Sequence, residues 1–178
     1  MSINHKIIIA GFGGQGILFA GKFLTYAGML EGLEVSWLPS YGPEMRGGTA
    51  SVAVSISDSP IGSPVITKPN AIAVMNLPSL DKYEPMLEAG GKAFIDSSMI
   101  ERKAERDDIA SFYVPSTSIA RDNNMVKLAN IVLTGKILRE LDFVSRATIE
   151  TAMKKIVPAN KPEMFELNMK ALNLGMDM

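Results

Sequence analysis

Two short stretches concentrate the residue types that do chemistry. The first, Gly11-Phe12-Gly13-Gly14-Gln15-Gly16, has the spacing Gly-x-Gly-x-x-Gly. Glycines so placed let backbone N–H groups approach an anion, and a helix that follows adds partial positive charge at its N-terminus. Gly11, Gly13, Gly14, Gln15 and Gly16 are therefore the candidate cofactor-binding residues. The second stretch is Ser40-Tyr41-Gly42-Pro43-Glu44-Met45-Arg46-Gly47-Gly48. Here Arg46 could grip a carboxylate or phosphate bidentately, and Glu44 could orient it or pair with a partner chain. Gly47 and Gly48 let another backbone or a ligand come close. Tyr41, Glu44, Arg46, Gly47 and Gly48 are the candidate substrate or partner contacts. Each stretch also has a plainer reading: a ligand-free tight turn for the first, a surface loop with an internal Glu44–Arg46 pair for the second.

Several chemistries are excluded by what the chain lacks. A nicotinamide site wants an acid at the end of the second strand to hold the ribose hydroxyls, but that region reads Val35-Ser36-Trp37-Leu38-Pro39. Glu31 and Glu34 come before the strand has crossed the sheet. No Gly-Lys-Ser/Thr follows the glycines, so a triphosphate loop is unsupported. The 178 residues contain no cysteine and 1 histidine. Thiolate nucleophiles, disulfides, cysteine-ligated clusters and histidine metal sites are thereby ruled out of this chain. A net charge of −1 without a dense basic stretch speaks against nucleic acid. No apolar run is long enough to span a bilayer, and no signal peptide is apparent, so a cytoplasmic location is expected.

The elements that must position these residues follow from periodicity. Residues 7–10 are an unbroken apolar run, the pattern of a strand covered on both faces. Residues 17–30 repeat apolar positions at helical spacing, and 33–38 read as a second strand. Strand, glycine turn, helix and strand make a βαβ unit, from which a parallel sheet is expected. Gly16, Ala20 and Gly21 would let the helix pack closely on that sheet. Residues 49–57 alternate strictly, with Ala50, Val52, Val54 and Ile56 on a buried face and small polar groups on the other. Residues 64–66 could return as a hairpin. Further strands are expected at 70–75, 92–96 and 112–115, and helices at 79–89, 125–141, 148–156 and 163–174. The charged stretch 101–108 reads as a solvated loop, and Met125, Met153, Met164 and Met169 as fillers of core or interface. The fold class is a single three-layer α/β domain spanning 1–178: a mostly parallel sheet, a glycine-rich βα loop, a hairpin-like middle and a helical C-terminal part.

Taken together, Ala10-Gly11-Phe12-Gly13-Gly14-Gln15-Gly16 and Ser40-Tyr41-Gly42-Pro43-Glu44-Met45-Arg46-Gly47-Gly48 resemble the gamma subunit of the 2-oxoacid:ferredoxin oxidoreductases. The resemblance covers almost the whole chain and extends to Glu166-Leu167-Asn168-Met169-Lys170-Ala171-Leu172-Asn173-Leu174-Gly175. The wording Tyr-Gly-Pro-Glu-Met-Arg-Gly-Gly is most like the 2-oxoglutarate type. The resemblance implies a subunit, inactive alone, of an EC 1.2.7-type enzyme that takes a 2-oxoacid, coenzyme A and oxidised ferredoxin to acyl-CoA, CO₂ and reduced ferredoxin. It implies thiamine diphosphate, Mg²⁺ and iron–sulfur clusters on other subunits, and alpha and beta partners with, in some members, a ferredoxin-like delta subunit. No catalytic residue and no metal ligand is assigned to this chain. Coenzyme A carries a pyrophosphate, which makes the glycine loop its candidate cradle. A stand-alone nucleotide- or flavin-binding regulatory module and a pure scaffold are the other readings.

Overall fold

The apolar run becomes the middle of the molecule. In the computed structural model, which describes residues 2–40 and 49–178, it lies in strand β1 (Asn4–Phe12). The chain continues through α1 (Ile17–Leu30), β2 (Glu34–Ser40), β3 (Thr49–Ser57), β4 (Ala71–Val74), α2 (Leu77–Tyr83), β5 (Lys92–Asp96) and β6 (Ala110–Val114). Four helices close it: α3 (Ser116–Asp122), α4 (Ala129–Leu141), α5 (Arg146–Ile156) and α6 (Pro162–Met176). The strands form one sheet in the order β2-β3-β1-β4-β5-β6. Strands β1, β4, β5 and β6 are parallel neighbours, whereas β3 runs antiparallel to both β1 and β2. β1 is thus paired on both edges, with Ile8 opposite Ala53 on one side and Ile72 on the other. That position explains its lack of polar alternation.

Helices cover both faces, unequally. On one face Ile7, Ile9, Val52, Val54, Ile56, Ala73 and Phe94 meet α1, α4, α5 and α6. On the other, Ile8, Ala10, Ile72, Val74, Ala93 and Ile95 meet Leu80 and Tyr83 of α2 together with Leu87 and Ile100. Helix α1 lies across β3 and β2. A Cβ on Gly21 would sit 2.6 Å from Val52, and one on Gly28 would sit 3.0 Å from both Ile56 and Val35. The close packing expected at Gly21 is present. Gly16 serves a different contact, described below.

The structure corrects the expected outline in several places. β1 and β2 are not sheet neighbours, because β3 is inserted between them; β3 pairs antiparallel with both, and residues 64–66 form no strand. Exposed Val65 has nothing to bury. The helix expected at 79–89 starts earlier, at Leu77, where Asn76 accepts a hydrogen bond from the Ser79 N–H. It ends by Tyr83, since Pro85 cannot continue it and a 3₁₀ turn takes over. The expected helix at 125–141 is likewise divided, with a 3₁₀ turn before α4. α3 was not anticipated at all. Met125, Met153 and Met169 are buried as expected, while Met164 is exposed. Stretch 101–108 is irregular but not merely solvated. Buried Glu84 accepts from the N–H groups of Glu105 (2.5 Å) and Arg106 (3.1 Å) and from Arg102 Nη1 (2.9 Å), which ties the stretch to the 3₁₀ turn after α2.

Candidate functional site

The sheet directs its ligands by topology. β1 runs into α1 on one face and β4 runs into α2 on the other, so the chain diverges at the carboxyl ends of β1 and β4. Open α/β sheets bind ligands at this kind of switch point. The glycine loop lies there.

Its shape is held by side-chain ties. Gln15 Oε1 accepts from the Phe12 N–H at 2.6 Å, and its Nε2 donates to the Met75 carbonyl at 3.2 Å, strapping the loop to the end of β4. Gly11 is required by this strap, because a Cβ there would lie 2.5 Å from Gln15 Oε1. Gly14 and Gly16 have positive φ values of 91° and 74°, a region that side chains enter at a cost. A Cβ on Gly16 would also lie 2.5 Å from Asn130 Nδ2, which donates to the Gly16 carbonyl at 3.0 Å. Gly13 and Gly14 are exposed at the turn. The five glycine-loop candidates therefore form one unit, in which Gln15 shapes the turn through its own hydrogen bonds.

Beside this turn is a cleft of about 290 Å³ lined by Gly14, Gln15, Met75, Met99, Thr117, Val126, Lys127 and Ala129. The N-termini of α1 and α4 both reach it, through Gly14–Gln15 and Ala129, and neither helix has an acid in its first turn. Lys127 adds a full positive charge. None of the described lining residues is acidic. A carboxylate behind them, that of buried Asp96, is occupied: it accepts from Ser98 N (3.0 Å), Thr117 N (3.4 Å) and Thr117 Oγ1 (2.5 Å). Asp96 thus caps the turn after β5 and anchors the start of α3, the local role that its position allowed. Two helix ends and one lysine around a cleft without acids among its described lining residues make a place for an anion.

Tyr41, Glu44, Arg46, Gly47 and Gly48 lie outside the described residues. Their stretch leaves the sheet at Ser40, which pairs with Ser51, and rejoins it at Thr49, which pairs with Phe12. Both of its ends are therefore at the same edge as the glycine loop. Lys127 and Asn130 were missed by sequence reasoning. They are 111 and 114 positions beyond Gly16 (127 − 16 and 130 − 16) and belong to no local motif. The sequence carried no signal for them, since the helix expected at 125–141 runs through both positions; the 3₁₀ turn before α4 came only from the structure.

Two titratable groups stand away from this edge. His5, half-buried near the start of β1 and against the Phe143 ring, is held below its ordinary value by burial and by the Lys92 charge. Glu31 is lowered by hydrogen bonding from Thr148 and from the Ser145 N–H, contacts that tie the end of α1 to α5. Among the described residues no three histidine or acidic side chains gather as metal ligands. No described helix is long and apolar enough to cross a membrane.

Fold and site define an α/β chain with a glycine loop at the switch point and an anion-ready cleft beside it. Residues 6–178 match the family described as pyruvate ferredoxin/flavodoxin oxidoreductase, and the chain belongs to that family. The 2-oxoglutarate synthase subunit KorC of Methanothermobacter marburgensis is 35% identical over 183 residues, covering 99% of this chain and 97% of that one. The ketoisovalerate oxidoreductase subunit VorA of the same organism is 32% identical over 97% of this chain, which spans only 36% of VorA. Among solved structures, the gamma subunit of a keto/oxoacid ferredoxin oxidoreductase from Geobacter sulfurreducens PCA superposes with a TM-score of 0.83 at 28% identity, over 97% of this chain and 96% of that one. A 2-oxoglutarate:ferredoxin oxidoreductase from Magnetococcus marinus, solved with 2-oxoglutarate, coenzyme A and succinyl-CoA, shares the fold with a TM-score of 0.89 at 20% identity, over 99% of this chain and 31% of that one.

Proposed function

We propose that the chain is the gamma-type subunit of a thiamine diphosphate-dependent 2-oxoacid:ferredoxin oxidoreductase, that 2-oxoglutarate is its substrate acid, and that it holds the phosphate end of coenzyme A. The observation that carries the last part is the cleft where the ends of α1 and α4 meet Lys127 beside Gly14. A pyrophosphate is a compact anion that can take backbone N–H groups and an ammonium together. Among relatives of about this chain's own length, KorC of Methanothermobacter marburgensis, named for 2-oxoglutarate, is 35% identical and a pyruvate/ketoisovalerate gamma subunit 26%, which supports the choice of acid. The nicotinamide reading is weakened by the end of β2, where Ser36, Trp37, Leu38, Pro39 and Ser40 offer no acid for a ribose.

The chain's chemical contribution is binding and orientation. It has no cysteine to ligate a cluster, so electron transfer is assigned to other subunits, and no step is routed through this chain's side chains. Holding coenzyme A at its phosphates fixes where the thiol end reaches, which lowers the barrier to acyl transfer by positioning. The 41–48 stretch, starting and ending at this edge, is the proposed contact to the acid or to a partner subunit.

Two substitutions in the reconstituted complex test the reading. Gly13→Val and Lys127→Ala should each raise KM for coenzyme A by about tenfold, the equivalent of roughly 1.4 kcal/mol, with assembly intact. An unchanged KM for both would sink the coenzyme A role and leave the loop structural.

A further inference from the structure

We propose that Asn130 is a positioning residue for the glycine loop, retained for ligand binding and not for stability. The proposal rests on the reading that the loop holds the phosphates of coenzyme A. Asn130 is buried in the first turn of α4, yet only half of its amide is used. Its Nδ2 donates to the Gly16 carbonyl, while its Oδ1 is buried without a hydrogen-bond partner among the described residues. A lone buried acceptor destabilises a fold, so such a group calls for an explanation other than stability. The Gly16 carbonyl does not depend on Asn130, since it also accepts the Ala20 N–H at 3.1 Å within α1. Removing the amide would therefore leave no polar group stranded and would abolish one that is.

What the amide does supply is direction. Gly16 is the hinge between loop and helix, in the left-handed region, where a glycine is free to move. Gln15 ties the front of the loop to β4, and Asn130 ties its back to α4. The two ties fix the loop between the helix ends that line the cleft. With the back tie gone, the loop samples orientations in which its N–H groups no longer converge, and ligand affinity falls by the population lost.

The test separates stability from binding in the assembled complex. Asn130→Leu, close in volume and without an orphan oxygen, should melt at or above the wild-type temperature. It should raise KM for coenzyme A about tenfold, equivalent to about 1.4 kcal/mol, with kcat at saturating coenzyme A unchanged. Asn130→Asp keeps the acceptor, loses the donor and brings a negative charge to the helix ends, so its KM should rise further. An unchanged KM in Asn130→Leu, or a KM and melting temperature that deteriorate together, or a variant that fails to assemble, overturns the proposal. If Gly13→Val raises KM while Asn130→Leu does not, the coenzyme A reading stands and the positioning role falls. If neither of these nor Lys127→Ala moves KM, both fall.

Discussion

At the scale of single residues, the candidate site divides by distance along the chain. The glycine turn was legible because its chemistry is local, with glycines where a turn must be tight, whereas the strap that Gln15 makes to Phe12 and Met75 came from the structure. Lys127 and Asn130 were not legible, because nothing near them in sequence says that α4 begins beside Gly16. Glu84 shows the same limit, since its three partners come from residues 102–106. His5 is the residue with a solution consequence. Its folded value lies below the ordinary 6.5, so on acidification the unfolded chain takes up the proton first. Stability from this group is present above 6.5 and declines as pH falls through it. Urea midpoints of the chain should therefore drop between pH 7.5 and pH 5.5 by more in wild type than in His5→Gln; equal drops would show that His5 is not the cause.

At the scale of elements, strands and helices with strong periodicity were readable and their neighbours were not. α1 and β3 occupy the expected residues because apolar spacing reports which face is buried. Alternation in β3 carries no information about direction or pairing, so its insertion between β1 and β2 came only from the structure. α3 escaped notice because its seven residues carry no apolar stripe and its start is held by Asp96, about 20 residues earlier. The α4–α6 crossing is another feature set by contact. A Cβ on Gly135 would collide with the Leu172 carbonyl, and one on Gly175 with the Val132 carbonyl. Backbone cannot yield as a flexible side chain can, so Gly135→Ala should cost about 3 kcal/mol or more, the upper range for overpacking. A denaturant titration checks this, and a loss below about 1 kcal/mol would mean that the helices slide apart at little cost.

At the scale of the whole molecule, this fold makes up nearly all of KorC from Methanothermobacter marburgensis and about a third of the chain in VorA. A unit found both alone and fused is expected to work against the remainder of the fused chain. Copurification from the native source should therefore recover larger subunits with it, and turnover on a panel of 2-oxoacids should favour 2-oxoglutarate. A chain that purifies alone with a bound chromophore would point instead to the regulatory module. The ladder partners Phe12–Thr49 and Ser40–Ser51 add a last consequence. They pin both ends of the 41–48 stretch to neighbouring rungs, whatever lies between. Loop closure varies slowly with length, about 0.6 kcal/mol per doubling. On the proposed reading the stretch is an exchangeable cassette: its wording can drift toward another acid or another partner while the scaffold and the glycine turn beside it stay where they are.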